Sequence, residues 1–267
     1  MKIQLETKDI IIFESSLYRT TSTLIDTENT LFLVDPNYLP LELEFIQQKV
    51  KERRGSKKLV LLITHADYDH IIGVNAFDYD ALITTETFLT KRDIEKALYD
   101  LEAFEQSFYI HRDFELSYPV PTNLIKKNNQ EFLFNSISVH GFLAPGHTID
   151  SGFFIIKPLN ILIAGDYLID IEIPMIDDNL KDYKNTLDLF ENLIENEDFS
   201  LVISGHGDYA KSKETVLKRI ALDKEYLKLL EENVYQKQPF DLEFLKNFPN
   251  PIEMKAIHLR NVKNLVR

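Results

Sequence analysis

The chain has no cysteine and no tryptophan among its 267 residues. Without cysteine there is no disulfide, no thiolate metal site, no Cys-x-x-Cys redox motif and no cysteine nucleophile. Long apolar runs are missing as well, and none approaches the roughly 20 residues that a membrane-spanning helix needs. At the start of the chain, Lys2, Glu6, Lys8 and Asp9 interrupt the apolar residues too early for a secretory signal. The expectation is a cytoplasmic protein with no membrane association. Basic residues are in deficit, with 30 Lys+Arg against 43 Asp+Glu and a formal net charge of -13. So acidic a surface repels phosphate backbones at long range, which argues against nucleic acid and for a small-molecule substrate. No repeat, low-complexity tract or compositional shift marks a linker. A single domain over residues 1–267 is therefore expected, with no sign of its oligomeric state.

What is present is enough for a core, since 44% of residues are hydrophobic and 27% charged. Short runs rich in Ile, Leu, Thr and Phe at 2–7, 10–14, 20–26 and 30–34 read as strands. Residues 41–53 read as a helix, and 58–63 form a continuous apolar run typical of a strand buried on both faces. Residues 86–108 read as helical and rich in aromatics, and 111–123 as irregular. A second strand block follows at 131–134, 137–143, 152–156 and 161–164, with a further buried strand at 200–204. Tyr183, Thr186, Leu187, Phe190, Leu193 and Ile194 recur at helical spacing. From residue 213 onward the pattern is helical, with interruptions near Pro239, Pro249 and Pro251. Two strand blocks, each followed by helices, predict an α/β fold with sheets inside and helices outside.

The chemistry begins where the apolar run 58–63 ends, in Thr64-His65-Ala66-Asp67-Tyr68-Asp69-His70. Four metal-competent side chains fall within six positions. An extended or tightly turned segment points several of them at one centre. Burying two imidazoles and two carboxylates there costs several kcal/mol unless they are paired or bind metal. Three more signatures lie at strand ends: Ala144-Pro145-Gly146-His147-Thr148, Ala164-Gly165-Asp166 and Ser204-Gly205-His206-Gly207. Glycines beside His147, Asp166 and His206 allow the sharp turns that bring these side chains to a shared site.

In these motifs and their order the sequence resembles the metallo-β-lactamase superfamily, over about residues 20–207. The resemblance implies a four-layer αββα sandwich of two facing sheets with helices outside. It also implies a helical cover insertion at about 86–121 and extra C-terminal helices at about 211–267. Carried over position by position, one divalent ion takes His65, Asp67 and His147. A second takes Asp69, His70 and His206, and Asp166 bridges the two. Asp35, in Leu33-Val34-Asp35-Pro36, matches an early Asp that braces such sites, although an Asp at a strand-to-turn junction is also ordinary. Asp67 stands where most of the family has His, a variation known in some members linked to DNA uptake. As a ligand it brings the formal charge of the site to zero, weakens acidification of the bridging water and shifts preference from zinc toward manganese or iron. Alternatively, Asp67 does not ligate and the first site is weak.

The implied activity is hydrolysis by a metal-bridging hydroxide, with Asp69 as the catalytic residue that orients it and shuttles its proton. The substrate implied is a small ester, thioester or lactone. No export signal is expected, and Asp166 stands where secreted zinc lactamases commonly use Cys, so glyoxalase II-like and lactonase-like relatives are the nearer comparison. A phosphodiesterase or nuclease with the same site is one alternative; Asp67 raises it and the acidic charge lowers it. Another is an iron-dependent oxidoreductase acting on thiols or persulfides. A third is a protein that binds metal and ligand without catalysis.

Six further features are weighed by position. His140 lies in the strand 137–143 and reads as packed or exposed. His111, in a probable loop, could reach a substrate, and His258, in a C-terminal helical stretch, could line the pocket. Phe88, Tyr99, Phe104 and Phe108 either fill a core or cap an apolar pocket. Tyr167 directly follows Asp166, and the acidic stretch 170–182 is either solvated or lines the mouth.

Overall fold

The computed structural model describes residues 1–36, 39–90 and 93–266. The chain runs β1 (Lys2–Glu6), β2 (Ile10–Glu14), β3 (Thr21–Asp26), β4 (Thr30–Val34), α1 (Pro40–Arg54), β5 (Lys58–Leu62) and the short α2 (Tyr68–Ile71). Then come β6 (Ala81–Thr85), α3 (Thr87–Thr90), α4 (Ile94–Ser107), β7 (Asn123–Ile125), β8 (Gln130–Phe134) and β9 (Ile137–Leu143). The last part is β10 (Gly152–Lys157), β11 (Ile161–Gly165), α5 (Leu180–Asn196), β12 (Leu201–Ser204), α6 (Lys213–Tyr235) and α7 (Pro251–Leu265).

One sheet has the order β1-β2-β3-β4-β5-β6-β7 and the other β12-β11-β10-β9-β8. The first is antiparallel through β4 and parallel from β4 to β7, and β11 and β12 pair in parallel in the second. Alternation along each strand explains the layers. In β5, Val60 and Leu62 point inward with Phe32, Phe154 and Ile163 to form the core between the sheets. Leu59 and Leu61 point outward onto Leu43, Ile46 and Val50 of α1. Phe153 and Ile155 of β10 cover the outer face of the second sheet together with Leu187 and Phe190 of α5. A strand sandwiched this way has no polar face, hence its unbroken apolar sequence. The result is the expected four-layer αββα sandwich.

Two local readings need revision. β6 and β7 were not legible as strands. The helix expected over 86–108 is two helices, α3 and α4; residues 91–92 lie outside the described ones. The second begins at Asp93, whose side chain accepts a hydrogen bond from Lys96 N and caps it. The segment after β5 takes the tightly turned one of its two expected forms, because Tyr68–Ile71 makes one helical turn that carries Asp69 and His70. Among the described residues, no helix is long and apolar enough to cross a membrane.

Candidate metal centre

The strand ends at one edge of the sandwich deliver the polar residues. His65 follows β5, His147 lies between β9 and β10, Asp166 follows β11 and His206 follows β12. Backbone hydrogen bonds tie the two sheets together at this edge, from Gly152 N to Thr64 O at 2.8 Å and from Thr21 N to Gly205 O at 2.7 Å. Gly146 adopts φ 126°, and a Cβ there would run into the backbone of Tyr183, so the 144–147 turn requires glycine.

All seven residues singled out by motif meet here. His65, Asp67 and His147 offer ligand atoms to one point, and Asp69, His70 and His206 to another. The Asp166 carboxylate lies between the two groups. Its Oδ2 is 3.6 Å from His65 Nε2, 3.4 Å from His147 Nε2 and 3.2 Å from His206 Nε2, and its Oδ1 is 3.3 Å from His70 Nε2. Asp67 Oδ2 is 3.8 Å from His65 Nε2 and 3.6 Å from His147 Nε2. Asp69 Oδ2 is 3.6 Å from His70 Nε2 and 3.5 Å from His206 Nε2. Ligand atoms each about 2.0–2.2 Å from a tetrahedral cation stand roughly 3.4 Å apart, so this spacing fits a shared ion better than direct hydrogen bonds.

The other ring nitrogens settle the tautomers. His147 Nδ1 donates to Met175 O, and His206 Nδ1 to Tyr18 O, each at 2.9 Å. His70 Nδ1 donates to Asp35 Oδ2 at 3.0 Å. Thr64 Oγ1 spends its single proton on Asp35 Oδ2 at 2.7 Å, so it accepts from His65 Nδ1 at 2.9 Å. Each imidazole is thereby turned with its Nε2 toward the centre, the arrangement that orients metal-ligating histidines. The Nε2 atoms of His65, His70 and His147 and Asp166 Oδ1 are buried with no hydrogen-bond partner among the described residues. Four orphaned polar atoms facing one another are groups that a bound cation would satisfy. Nitrogen and carboxylate oxygen donors suit zinc, manganese or iron.

Asp35 is a brace, as one reading of the sequence had it. Its φ of 40° turns the carboxylate back toward Thr64 N, Thr64 Oγ1 and His70 Nδ1. That left-handed backbone carries strain, which Asp tolerates better than most residues. Burial opposes charge on His147, but Asp67 and Asp166 outweigh it and raise its pKa to about 9; on His206, Asp166 does the same, to about 10. Burial and the neighbouring His70 hold His65 neutral.

The centre opens into a cavity of about 720 Å³. Its walls come from Tyr18, from α4, from the 172–177 stretch and from α7. The acidic stretch therefore does line the mouth, through Glu172 and Asp177. The side chains that α4 contributes are Lys96, Ala97 and Asp100, not an aromatic cap, whereas Phe88 is core and Phe104 stacks on Tyr68.

Other candidates fall elsewhere. His111 is exposed and outside the cavity wall. His140 bonds Asn129 and Ser138. His258 is buried against Phe240, with ring centroids 3.8 Å apart, and its neighbours Ile257 and Arg260 line the cavity in its place. Tyr167 accepts from His147 N at 2.9 Å and braces that loop. Sequence reasoning missed Asp150, whose Oδ2 accepts from Ala66 N at 2.8 Å, and the roles of Thr64 and Glu172. Asp150 stands three residues after His147, the one sequence signal available for it.

A sequence model described as the metallo-beta-lactamase superfamily matches residues 16–227. None of the curated proteins matches the sequence. Solved structures match over most of their length. A metallo-beta-lactamase from Pontibacter korlensis superposes with TM-score 0.60 at 15% identity, over 84% of this chain and 98% of that one. BLEG-1 B3 metallo-beta-lactamase gives 0.59 at 18% identity, over 78% and 96%. DIM-1 metallo-beta-lactamase exposed to ceftazidime gives 0.56 at 14% identity, over 84% and 97%. At such identities the likeness establishes the fold alone.

Proposed function

The chain belongs to the metallo-β-lactamase superfamily, and from the two ligand trios that share Asp166 we propose that it is a metal-dependent hydrolase of small esters, thioesters or lactones. The observation that carries this reading is the Asp166 carboxylate, within 3.2–3.6 Å of four Nε2 atoms. His65, Asp67 and His147 would hold one divalent ion, and Asp69, His70 and His206 the other, with Asp166 shared. Such ions supply Lewis acidity and lower the pKa of a water.

The chain's own residues do the rest. Asp69, held by Thr20 Oγ1 at 3.0 Å, is placed to orient the attacking water and to take its proton. Asp35, Thr64, Tyr18 O and Met175 O fix the imidazole rings, so the ligand atoms need no rearrangement during reaction. The cavity of about 720 Å³ has room for a small substrate beside these residues.

The test is a substrate panel with zinc-, manganese- or iron-loaded protein, comparing aryl esters, thioesters and lactones with a bis-aryl phosphodiester. Ester-type turnover that vanishes on chelation and falls at least about 100-fold in Asp69→Asn is expected. Strong phosphodiester turnover without ester turnover would replace this reading with a phosphodiesterase. Oxygen consumption by iron-loaded protein on thiols, without hydrolysis, would replace it with an oxidoreductase.

A further inference from the structure

The cavity is more acidic than its metal-competent cluster requires. Both basic side chains in its wall are committed, Lys96 to Asp100 and Arg260 to Asp177. Glu172 has no such partner: it makes no hydrogen bond or ion pair among the described residues. It stands on the connection from β11 to α5, in the wall of the 720 Å³ cavity, and close enough to His206, Asp166, His147 and Asp69 to feel their charge. Behind it lies a small void shared with Tyr183 and Asp223. Among the described residues, no cation reaches it from that side. Arg219, the basic group there, is spent on Asp170 at 3.3 Å and on Leu168 O at 3.1 Å. Asp223 is itself a carboxyl, and burial raises its pKa well above the usual carboxylate range.

A half-buried carboxylate in a cavity wall is unfavourable without a partner. A cation delivered by a ligand from the open side would remove that cost and gain a charge-assisted hydrogen bond. We propose that the cavity takes a hydrolysable substrate carrying a protonated amine near its scissile bond, with Glu172 as the counter-charge to that amine. This substrate class rests on the hydrolase reading, but the ligand preference can be measured apart from turnover.

The experiment compares phenyl esters of β-alanine, N-acetyl-β-alanine and succinate, which place an ammonium, a neutral amide and a carboxylate at the same distance from the reacting carbonyl. Each kcat/KM is divided by the uncatalysed rate. The metal-loaded protein should favour the amine over the N-acetyl ester by roughly tenfold or more, with succinate poorest. In Glu172→Gln the amine preference should collapse toward one, and in Glu172→Asp part of it should remain. A purely structural role for Glu172 would lower all three rates together and leave the ratio intact, which would overturn the proposal. Turnover without amine preference would overturn it too, and leave the hydrolase reading standing. If no ester is turned over, the hydrolase reading fails and calorimetric titration decides. The probes are the ketones in which CH2 replaces the ester oxygen of the amine and N-acetyl compounds. Tighter binding of the amine ketone, lost in Glu172→Gln, upholds the site, and equal binding of the two ketones overturns it.

Discussion

Replacing Gly205 by alanine separates the metal-competent cluster from the fold that carries it. Gly205 lies between β12 and His206, and its φ is outside the left-handed region, so alanine meets no backbone strain there. Its own hydrogen bonds, N to Gly165 O and Thr21 N to its carbonyl, both at 2.7 Å, do not involve the side-chain position. The added methyl, however, would overlap Asp166 Oδ1 and stand 3.0 Å from His70 Cε1. The carboxylate would have to retreat by at least about 1 Å to reach an ordinary van der Waals separation. A ligand oxygen normally sits about 2.0–2.2 Å from its cation, and a bond of that kind does not survive such a displacement. Asp166 would then stop serving both trios. The expected outcome is a loss of roughly 100-fold in affinity for at least one cation, with a comparable loss of activity. The melting temperature should stay within a few degrees. The assays are metal content per chain after dialysis, calorimetric metal titration and thermal unfolding by circular dichroism. A Gly205→Ala protein that keeps two cations at the parent affinity would refute the shared role of Asp166. Gly146→Ala is the contrast, because its methyl meets the Tyr183 backbone and should damage folding first.

Further outcomes follow from other parts of the structure. Asp35→Asn turns an amide NH2 toward donors on Thr64 and His70, so metal affinity should drop about 10- to 100-fold; unchanged affinity would remove its bracing role. If Asp67 ligates, its oxygen should make manganese or iron activate at least as well as zinc, and zinc-only activity in a metal swap would count against it. His258 has its pKa pushed down by burial to about 4 from 6.5. The stability that its neutral form contributes is therefore full above pH 6.5 and is lost as pH falls toward 4. At pH 5 the loss should be about 2 kcal/mol at most, and urea unfolding should show this pH dependence shrinking in His258→Gln; an identical slope would refute it.

The elements most legible in the sequence were those whose local pattern and tertiary environment agree. β5 read as a doubly buried strand because both its faces are covered, and α5 read as a helix because Tyr183, Leu187, Phe190 and Ile194 form the stripe that meets the second sheet. β6 and β7 were illegible for a physical reason. They join the sheet in parallel, so no hairpin turn announces them, and β7 has only three residues. The break between α3 and α4 hinges on one capping side chain, Asp93, in an otherwise continuous helical pattern.

The seven metal-competent residues were written into the sequence because their chemistry is carried by side chains in short motifs whose burial would otherwise be unfavourable. Their orientation was not. Met175 and Tyr18 hold two of the imidazoles through main-chain carbonyls, which every residue type possesses and no composition reveals. Glu172 looked like one acid in a solvated run, and only the packing of the β11–α5 connection against α6 and the cluster set it in the cavity wall. The sequence by itself thus determined which donors are available and which strands can be buried. The tertiary structure decided which nitrogen faces the centre and which carboxylate is left without a partner, because both depend on neighbours distant along the chain.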